Sequence, residues 1–290
     1  VKTAARIGPA VAWRRKIRDL SGRGKALVVF VPTMGALHDG HEALIRRARH
    51  LAGPRGFVVV SIFVNPTQFG PKEDLSRYPR PFAEDRALCR REGVDLLFHP
   101  TADEMYAGEA SVKVSEGILS KGLCGASRPG HFDGVCTVVT MLFQILQPDV
   151  AVFGQKDWQQ LAVIRRMVRD LKIPVKIIGH PTVREEDGLA LSSRNLHLSP
   201  EERRVAPLIH RALWSAATRA QEGETSVARL ERGLKADLSA IPGAAPDYAV
   251  IVDESTLAPI RSLTNKTRAR ALVAVRIGRV RLIDNLRISR

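Results

Sequence analysis

The chain has 290 residues, 44% of them hydrophobic, a formal charge of +15 and only 5% aromatic residues. That length buries a large core, as one big domain or a large one beside a small one, and no run of about 18 apolar residues exists to cross a bilayer. The basic residues fall in short scattered groups such as "RRAR" and "VIRRMVR", with too few aromatics for a base-stacking platform, so most of the charge reads as solvated helix faces and nucleic-acid binding as the main function is disfavoured.

In chain order, "VKTAARIGPAVAWRRKIRDL" lacks the apolar core of a secretory signal and reads as a short amphipathic helix. An Arg-rich, acid-poor start is also the texture of an organellar targeting segment. "ALVVFV" (26–31) is a continuous apolar run, the mark of a strand buried on both faces. "HEALIRRARHLA" puts Leu44, Ile45, Ala48 and Leu51 on one helical face. "GFVVVSIFVN" is a second strand, "EDRALCRREG" a helix closed by Gly93, and "VDLLFHP" a third strand. "FDGVCTVVTMLFQILQ" has helical spacing, and "PDVAVFG" is the fourth strand. "WQQLAVIRRMVRDL" is a helix with Leu161, Ile164, Val168 and Leu171 inward, and "IPVKIIGHP" is the fifth strand. Strands alternating with helices predict an α/β fold, a parallel sheet with helices on both faces.

Near residue 183 the texture turns polar and irregular, through "TVREEDGLALSSRNLHLSPEER". Ser199, Pro200 and Glu202 then supply a helix start: cap, first helical position and capping-box partner. Helices follow to about 240. "DYAVIVDEST" and "RARALVAVRIGRVRLID" alternate like half-exposed antiparallel strands. The expected domains are 1–182 and a smaller α+β domain over 183–290. Cys89, Cys124 and Cys136 are odd in number and form no C-x-x-C pair, which argues against a disulfide framework or structural zinc and for a reducing cytoplasm.

The chemistry starts at "PTMGALHDGH" (32–41), between a buried strand and a helix. Ligands of open parallel sheets bind at the carboxyl ends of strands, and a helix N-terminus there suits a phosphate. Gly35 and Gly40 allow close backbone approach. His38 and His41 lie near one face and are placed to donate hydrogen bonds to a polyphosphate. Plain capping of the helix is the other use for them. No G-K-[ST] follows, so this is not a Walker loop.

"HDGH" resembles the H-x-G-H signature of the nucleotidylyltransferase superfamily, and "LALSSRN" its basic/serine partner segment. "SIFVNPTQFG", "YPRPFAEDRALCRREGVDLLFHP", "GASRPGHFDGVCTVVTMLFQILQPDVAVFGQKDWQQL" and "LIDN" extend the likeness to the pantothenate synthetase (pantoate–β-alanine ligase) family, in order from about Val31 to the C-terminus. The resemblance implies a Rossmann-like sheet and a homodimer. It implies an ATP-dependent condensation of pantoate with β-alanine to pantothenate, AMP and pyrophosphate, through a pantoyl adenylate.

It further implies ATP contacts from Met34, Gly35, Ala36, Leu37, His38, Asp39, Gly40 and His41. Others follow from Gly154, Gln155, Lys156, Asp157, Val183, Leu191, Ser192, Ser193 and Arg194. His41 takes the acid position, with His38, Lys156 and Arg194 as its catalytic partners. Gln68 and Gln160 match the pantoate- and β-alanine-binding amides. Asn65 fixes a strand end, and Arg128 and His131 lie in a loop lining the site. Mg²⁺ enters with ATP, and Glu84 and Asp85 match an acidic pair linked to it. Leu88 at the third position of that pattern has no ligating atom, and a surface helix face explains the pair equally well. Gln155 stands where glutamate is usual and Trp158 where tyrosine or phenylalanine is commoner, which points to altered ATP affinity. The alternatives are a nucleotidylyltransferase that stops at an adenylylated small molecule and, from the charge alone, a nucleic-acid binder.

Overall fold

The computed structural model describes residues 1–20, 26–70, 75–108 and 110–290. They pack as two units, Val1–Gly154 with Val163–His180, and Gln155–Ala162 with Pro181–Arg290. The sequence divides the chain once, after 182; packing divides it after His180 and also counts Gln155–Ala162 with the second unit.

The first unit begins with Lys2–Ala4 (β1), ahead of the expected helix, Ile7–Leu20 (α1). The sequence does not predict β1, because three residues carry no readable alternation. It is a strand because it pairs with a neighbour almost a hundred residues on, Lys2 opposite Leu96 and Ala4 opposite Phe98. Next come Val28–Thr33 (β2), Asp39–Ala52 (α2), Phe57–Ile62 (β3), Phe82–Arg91 (α3) and Leu96–Phe98 (β4). Two short helices, Ala102–Tyr106 (α4) and Cys124–Ser127 (α5), lead to His131–Leu146 (α6). Val150–Gly154 (β5), Trp158–Asp170 (α7) and Lys176–His180 (β6) complete the series.

These strands form one six-stranded sheet in the order β1-β4-β3-β2-β5-β6, with every pairing parallel. The sheet therefore holds one strand more than the sequence predicts. Helices cover both faces. Leu44, Ile45, Ala48 and Ala52 of α2 pack with Cys89 of α3 on Val29, Val31, Val58 and Val60. On the other face Phe143 of α6 meets Phe30 edge-on at 6.3 Å, and Trp13 of α1 meets Phe57 at 5.8 Å. Leu171, predicted inward, is 52% exposed because α7 ends at Asp170, and Met167 is buried instead. The winding reverses between β2 and β5, so the loop that leaves β2 at Thr33 opens at the switch point of the sheet.

In the second unit, Pro200–Val205 (α8) starts with the predicted capping box of Ser199 and Glu202. Leu208–Gln221 (α9) and Val227–Ser239 (α10) follow. Ala244–Asp253 (β7), Ala269–Ile277 (β8) and Val280–Ile288 (β9) form an antiparallel sheet in that order. Ile209 and Leu213 of α9 and Leu230 and Leu234 of α10 share a core with Ala271, Val273 and Val275 of β8. The sequence predicts half-exposed strands here, yet β8 is buried at every position except Arg276. It is the central strand, and its face away from that core carries Arg270, Leu272 and Ala274, also buried. Gly278, with φ of 55°, provides the left-handed residue that the short turn between β8 and β9 needs.

Candidate active site

After β2 the backbone takes two successive left-handed residues, Gly35 at φ 85° and Ala36 at φ 50°. Such a turn aims adjacent N–H groups at one point, a concavity that suits an anion. Its occupant comes from the chain itself. Asp85, 2% exposed, accepts from Ala36 N at 2.9 Å and from Leu37 N at 2.7 Å. Burial pushes the Asp85 carboxyl up, while the Leu37 and Ala36 amides oppose that shift. Glycine is needed at Gly35 for an internal reason: a Cβ there would lie 2.9 Å from Ile62 Cγ2 and 3.0 Å from Asp85 Oδ2.

The same loop ends in a cap made by two histidines. His38 is the N-cap of α2 and accepts the Gly40 N–H on Nδ1 at 3.1 Å. His41 accepts the His38 N–H on its own Nδ1 at 3.4 Å, which completes a capping box. The ring centroids are 4.2 Å apart. Nδ1 of each ring is thus an acceptor, so the proton of each neutral imidazole sits on Nε2. Capping, one of the two uses that the sequence offers for these histidines, is therefore made through Nδ1 of both rings. Met34 and Leu37 are half-buried beside the pair, and Asp39 is exposed at the first turn of α2.

Past β3, Asn65 is fully buried and donates Nδ2 to Gln68 Oε1 at 2.9 Å and to Gly134 O at 3.1 Å. Its Oδ1 accepts from Tyr106 OH at 2.6 Å and Thr67 Oγ1 at 2.9 Å. Gln68 therefore presents its –NH₂ as the donating end of the amide. The backbone oxygen of Gln68 accepts from His131 Nδ1 at 2.8 Å and Arg128 Nη2 at 3.3 Å. Since a carbonyl only accepts, Nδ1 carries the proton, and His131 Nε2 takes Arg128 Nη1 at 3.1 Å. So Arg128 and His131 hold the turn that bears Gln68. A Cβ at Gly134 would sit 2.5 Å from Thr67 O, so α6 crosses this turn only through a glycine.

In the second unit, Lys156 stands 3.9 Å from Asp157 in a 3-10 turn, Gln155–Asp157. Asn285 Nδ2 donates to the carbonyl oxygens of Gln155 at 2.9 Å and Lys156 at 2.8 Å. Trp158 is 6% exposed, donates Nε1 to Glu254 O at 2.9 Å, and has the Arg270 guanidinium 3.5 Å from its ring centre. The sequence puts Trp158 at the nucleotide edge; its burial between Glu254 and Arg270 makes it a packing residue. Gln160 is half-buried, next to buried Gln159.

Residues 183–191 form a tight hairpin, with Leu191 N donating to Val183 O at 3.0 Å. Ser192 caps the 3-10 turn Ser193–His197, its Oγ accepting from Arg194 N at 3.3 Å. Asn195 ties the turn back to Glu185 Oε1 at 3.0 Å and Ala190 O at 3.1 Å.

Of the acidic pair that the resemblance links to Mg²⁺, Asp85 accepts a loop amide on each oxygen and Glu84 is exposed. Among the described residues no group of three or more His, Cys, Asp or Glu is arranged to hold a metal ion. The N–H groups of Ala36 and Leu37, two residues that the family resemblance places at ATP, donate to Asp85. Cys89 and Cys136 are fully buried, and that burial pushes both thiols up to about 12.

The family model described as pantoate-beta-alanine ligase matches residues 6–287. The chain belongs to the pantoate–β-alanine ligase family. Membership makes it an enzyme of the ligase class. It is 50% identical over 292 residues to the pantothenate synthetase of Azotobacter vinelandii, covering 100% of this chain and 98% of that one. It is 49% identical over 280 residues to that of Thermotoga neapolitana, covering 97% and 98%. The crystal structure of pantothenate synthetase from Thermus thermophilus superposes with a TM-score of 0.91 at 48% identity, over 100% of both chains. A pantoate–β-alanine ligase from Francisella tularensis, complexed with beta-gamma ATP and β-alanine, matches at 0.78 and 34%, over 99% and 97%. In this pantoate–β-alanine ligase the family's fold is preserved, a parallel sheet with helices plus a small antiparallel sheet.

Proposed function

We propose that this ligase joins pantoate to β-alanine in two half-reactions. The pantoate carboxylate attacks the α-phosphorus of ATP, and pyrophosphate leaves. The β-alanine amine then attacks the acyl carbon of the mixed anhydride, and AMP leaves with the carboxyl oxygen. Adenylation supplies the leaving group a carboxylate lacks, and good alignment of the partners lowers the barrier by about 7–11 kcal/mol.

The observation that carries the assignment is the reciprocal capping of His38 and His41 through Nδ1. It presents Nε2–H donors toward charge that grows on phosphate oxygens, with His41 in the acid position. Lys156 and Arg194 supply cationic charge to the phosphates, and Asp157, Val183, Leu191, Ser192 and Ser193 complete the nucleotide contacts. Gln68, whose Oε1 is held by Asn65, donates its –NH₂ to pantoate, with Gln160 as the second amide. ATP is used as its Mg²⁺ complex, the ion keeping phosphate and water ligands. Asp85 acts instead as the internal anion of the H-x-G-H loop. A cytoplasmic setting is supported by the unbridged cysteines, and a homodimer by the family resemblance.

The test is pyrophosphate release from MgATP and pantoate, with and without β-alanine, while AMP and pantothenate are followed. One burst of pyrophosphate with pantoate alone, and steady turnover only with β-alanine, is the expected result. Pantothenate formed with no pantoate-dependent burst overturns the adenylate. A product that stays adenylylated with β-alanine present supports the nucleotidylyltransferase.

A further inference from the structure

Two segments of the second unit assigned to ATP, Gln155–Asp157 and Ser192–Arg194, have little regular structure of their own. Both are tied to one place on β9. Asp284 and Asn285 are adjacent there, so their side chains leave opposite faces of the sheet. They are 5% and 3% exposed, and buried polar groups of this kind are retained only when their hydrogen bonds are made.

Asn285 uses one –NH₂ group on two consecutive carbonyls, those of Gln155 and Lys156. Its Oδ1 is held in turn by Arg270 Nη1 at 2.7 Å, and Arg270 is stacked on Trp158. The orientation of the amide is thereby fixed, and with it the turn that carries Lys156. On the opposite face Asp284 receives both Nη atoms of Arg184, at 2.7 and 2.9 Å. Such a two-pronged pair fixes angle as well as distance. Arg184 Nη1 also donates to Gly188 O at 3.0 Å, clamping the hairpin that runs directly into Ser192 and Arg194.

We infer that Asp284 and Asn285 are positioning residues for the ligation, one strand setting both Lys156 and Arg194 for the triphosphate. This inference rests on the assignment of Lys156 and Arg194 to ATP. It gives a purpose to "LIDN", which the family likeness contains but leaves without a role. It also explains two paired anchors on neighbouring residues of a strand otherwise occupied with sheet packing.

The experiment is a double-mutant cycle on kcat/KM for ATP, read from pantoate-dependent pyrophosphate release. Asn285→Asp keeps the shape but sets a carboxylate oxygen against two carbonyls. A fall of about 10–100-fold is expected, the cost typical of a reacting group displaced by about an ångström. In a Lys156→Ala background the same change should add almost nothing, because the residue it acts through is gone. Asp284→Asn against Arg194→Ala should behave likewise. Arg287→Ala, an exposed neighbour on β9, should leave ATP kinetics unchanged. Should Asn285→Asp fail to fold, Arg270→Lys enters the same cycle, since it loosens Asn285 Oδ1. Folded variants with unchanged ATP kinetics overturn the inference. So do effects that multiply across the cycle, as a general loss of stability would give. Wild-type kinetics in Lys156→Ala and Arg194→Ala remove the assignment beneath it, and the inference falls for that separate reason.

Discussion

The H-x-G-H loop of the first unit and the segments of the second that are proposed to hold the nucleotide are fixed by opposite strategies. The loop is held mostly by its own neighbours. Its capping box spans residues His38 to His41, and one outside carboxylate, Asp85, closes the turn before it. The segments around Lys156 and Arg194 are also anchored from far along the chain, beyond their local turns. Arg184 and Asp284 are 100 positions apart, and Asn285 lies 130 positions from Gln155. Short-range control makes a site that a motif reveals. Long-range control makes one that only folding assembles.

The largest expected effect breaks the loop's chemistry and leaves its scaffold. His41→Ala should lower pantoate-dependent pyrophosphate release by about 10²–10³-fold, while loss of the cap costs only about 1 kcal/mol in a urea melt. An unchanged rate would remove His41 from the reaction.

Asp85→Asn probes a distant contact of that loop. The amide offers a single oxygen where two backbone donors need acceptors, so stability should fall by about 1–3 kcal/mol. Activity should fall with it at every Mg²⁺ concentration. If the main change is instead a higher Mg²⁺ requirement, cured by excess metal, Asp85 belongs to the metal site after all.

Gly134→Ala sharpens the comparison within the first unit, where Gln68 depends on α6 crossing its turn closely. The added methyl meets Thr67 O, so about 1–3 kcal/mol of stability should be lost. KM for pantoate should rise while KM for ATP stays, since the histidine cap is a separate local device. Equal changes in both would show that the two are not independent.

The smallest effect concerns acid and the second unit. Burial works to raise the Asp253 carboxyl, but hydrogen bonds from Ser255 and Thr256 outweigh it and hold the group at about 2, against 3.8 ordinarily. The folded value lies below the unfolded one. Its contribution is therefore present above 3.8 and is lost as pH falls toward 2. After solvent screening this amounts to on the order of 1 kcal/mol. Wild type and Asp253→Asn should differ by that amount in urea unfolding near neutral pH and converge near the lower limit.

Legibility follows the same division. The alternation of strands and helices, the Ser199–Glu202 cap and the pairing of His38 with His41 are readable, because each is a pattern within a few residues. β1 is not readable, because three residues become a strand only beside Leu96–Phe98. Leu171 fits the helical period yet lies outside, because the period does not reveal where α7 ends. Asp85 matches a metal pattern by spacing, and its partners, two amides in a left-handed turn, leave no mark in spacing. Trp158 stands out as a departure beside Lys156, and proximity in sequence suggests proximity to nucleotide. Its ring faces Arg270 instead.

The sequence by itself determined the class of fold, the family and the residue types of the chemistry, because hydrophobic period, caps and motifs are local and additive. Tertiary structure alone decided which nitrogen of each histidine accepts the capping bond, which end of the Gln68 amide donates, and what Asp85, Asp284 and Asn285 hold. Those are matters of hydrogen-bond direction between residues distant in the chain, and direction exists only once the backbone has brought donor and acceptor within about 3 Å.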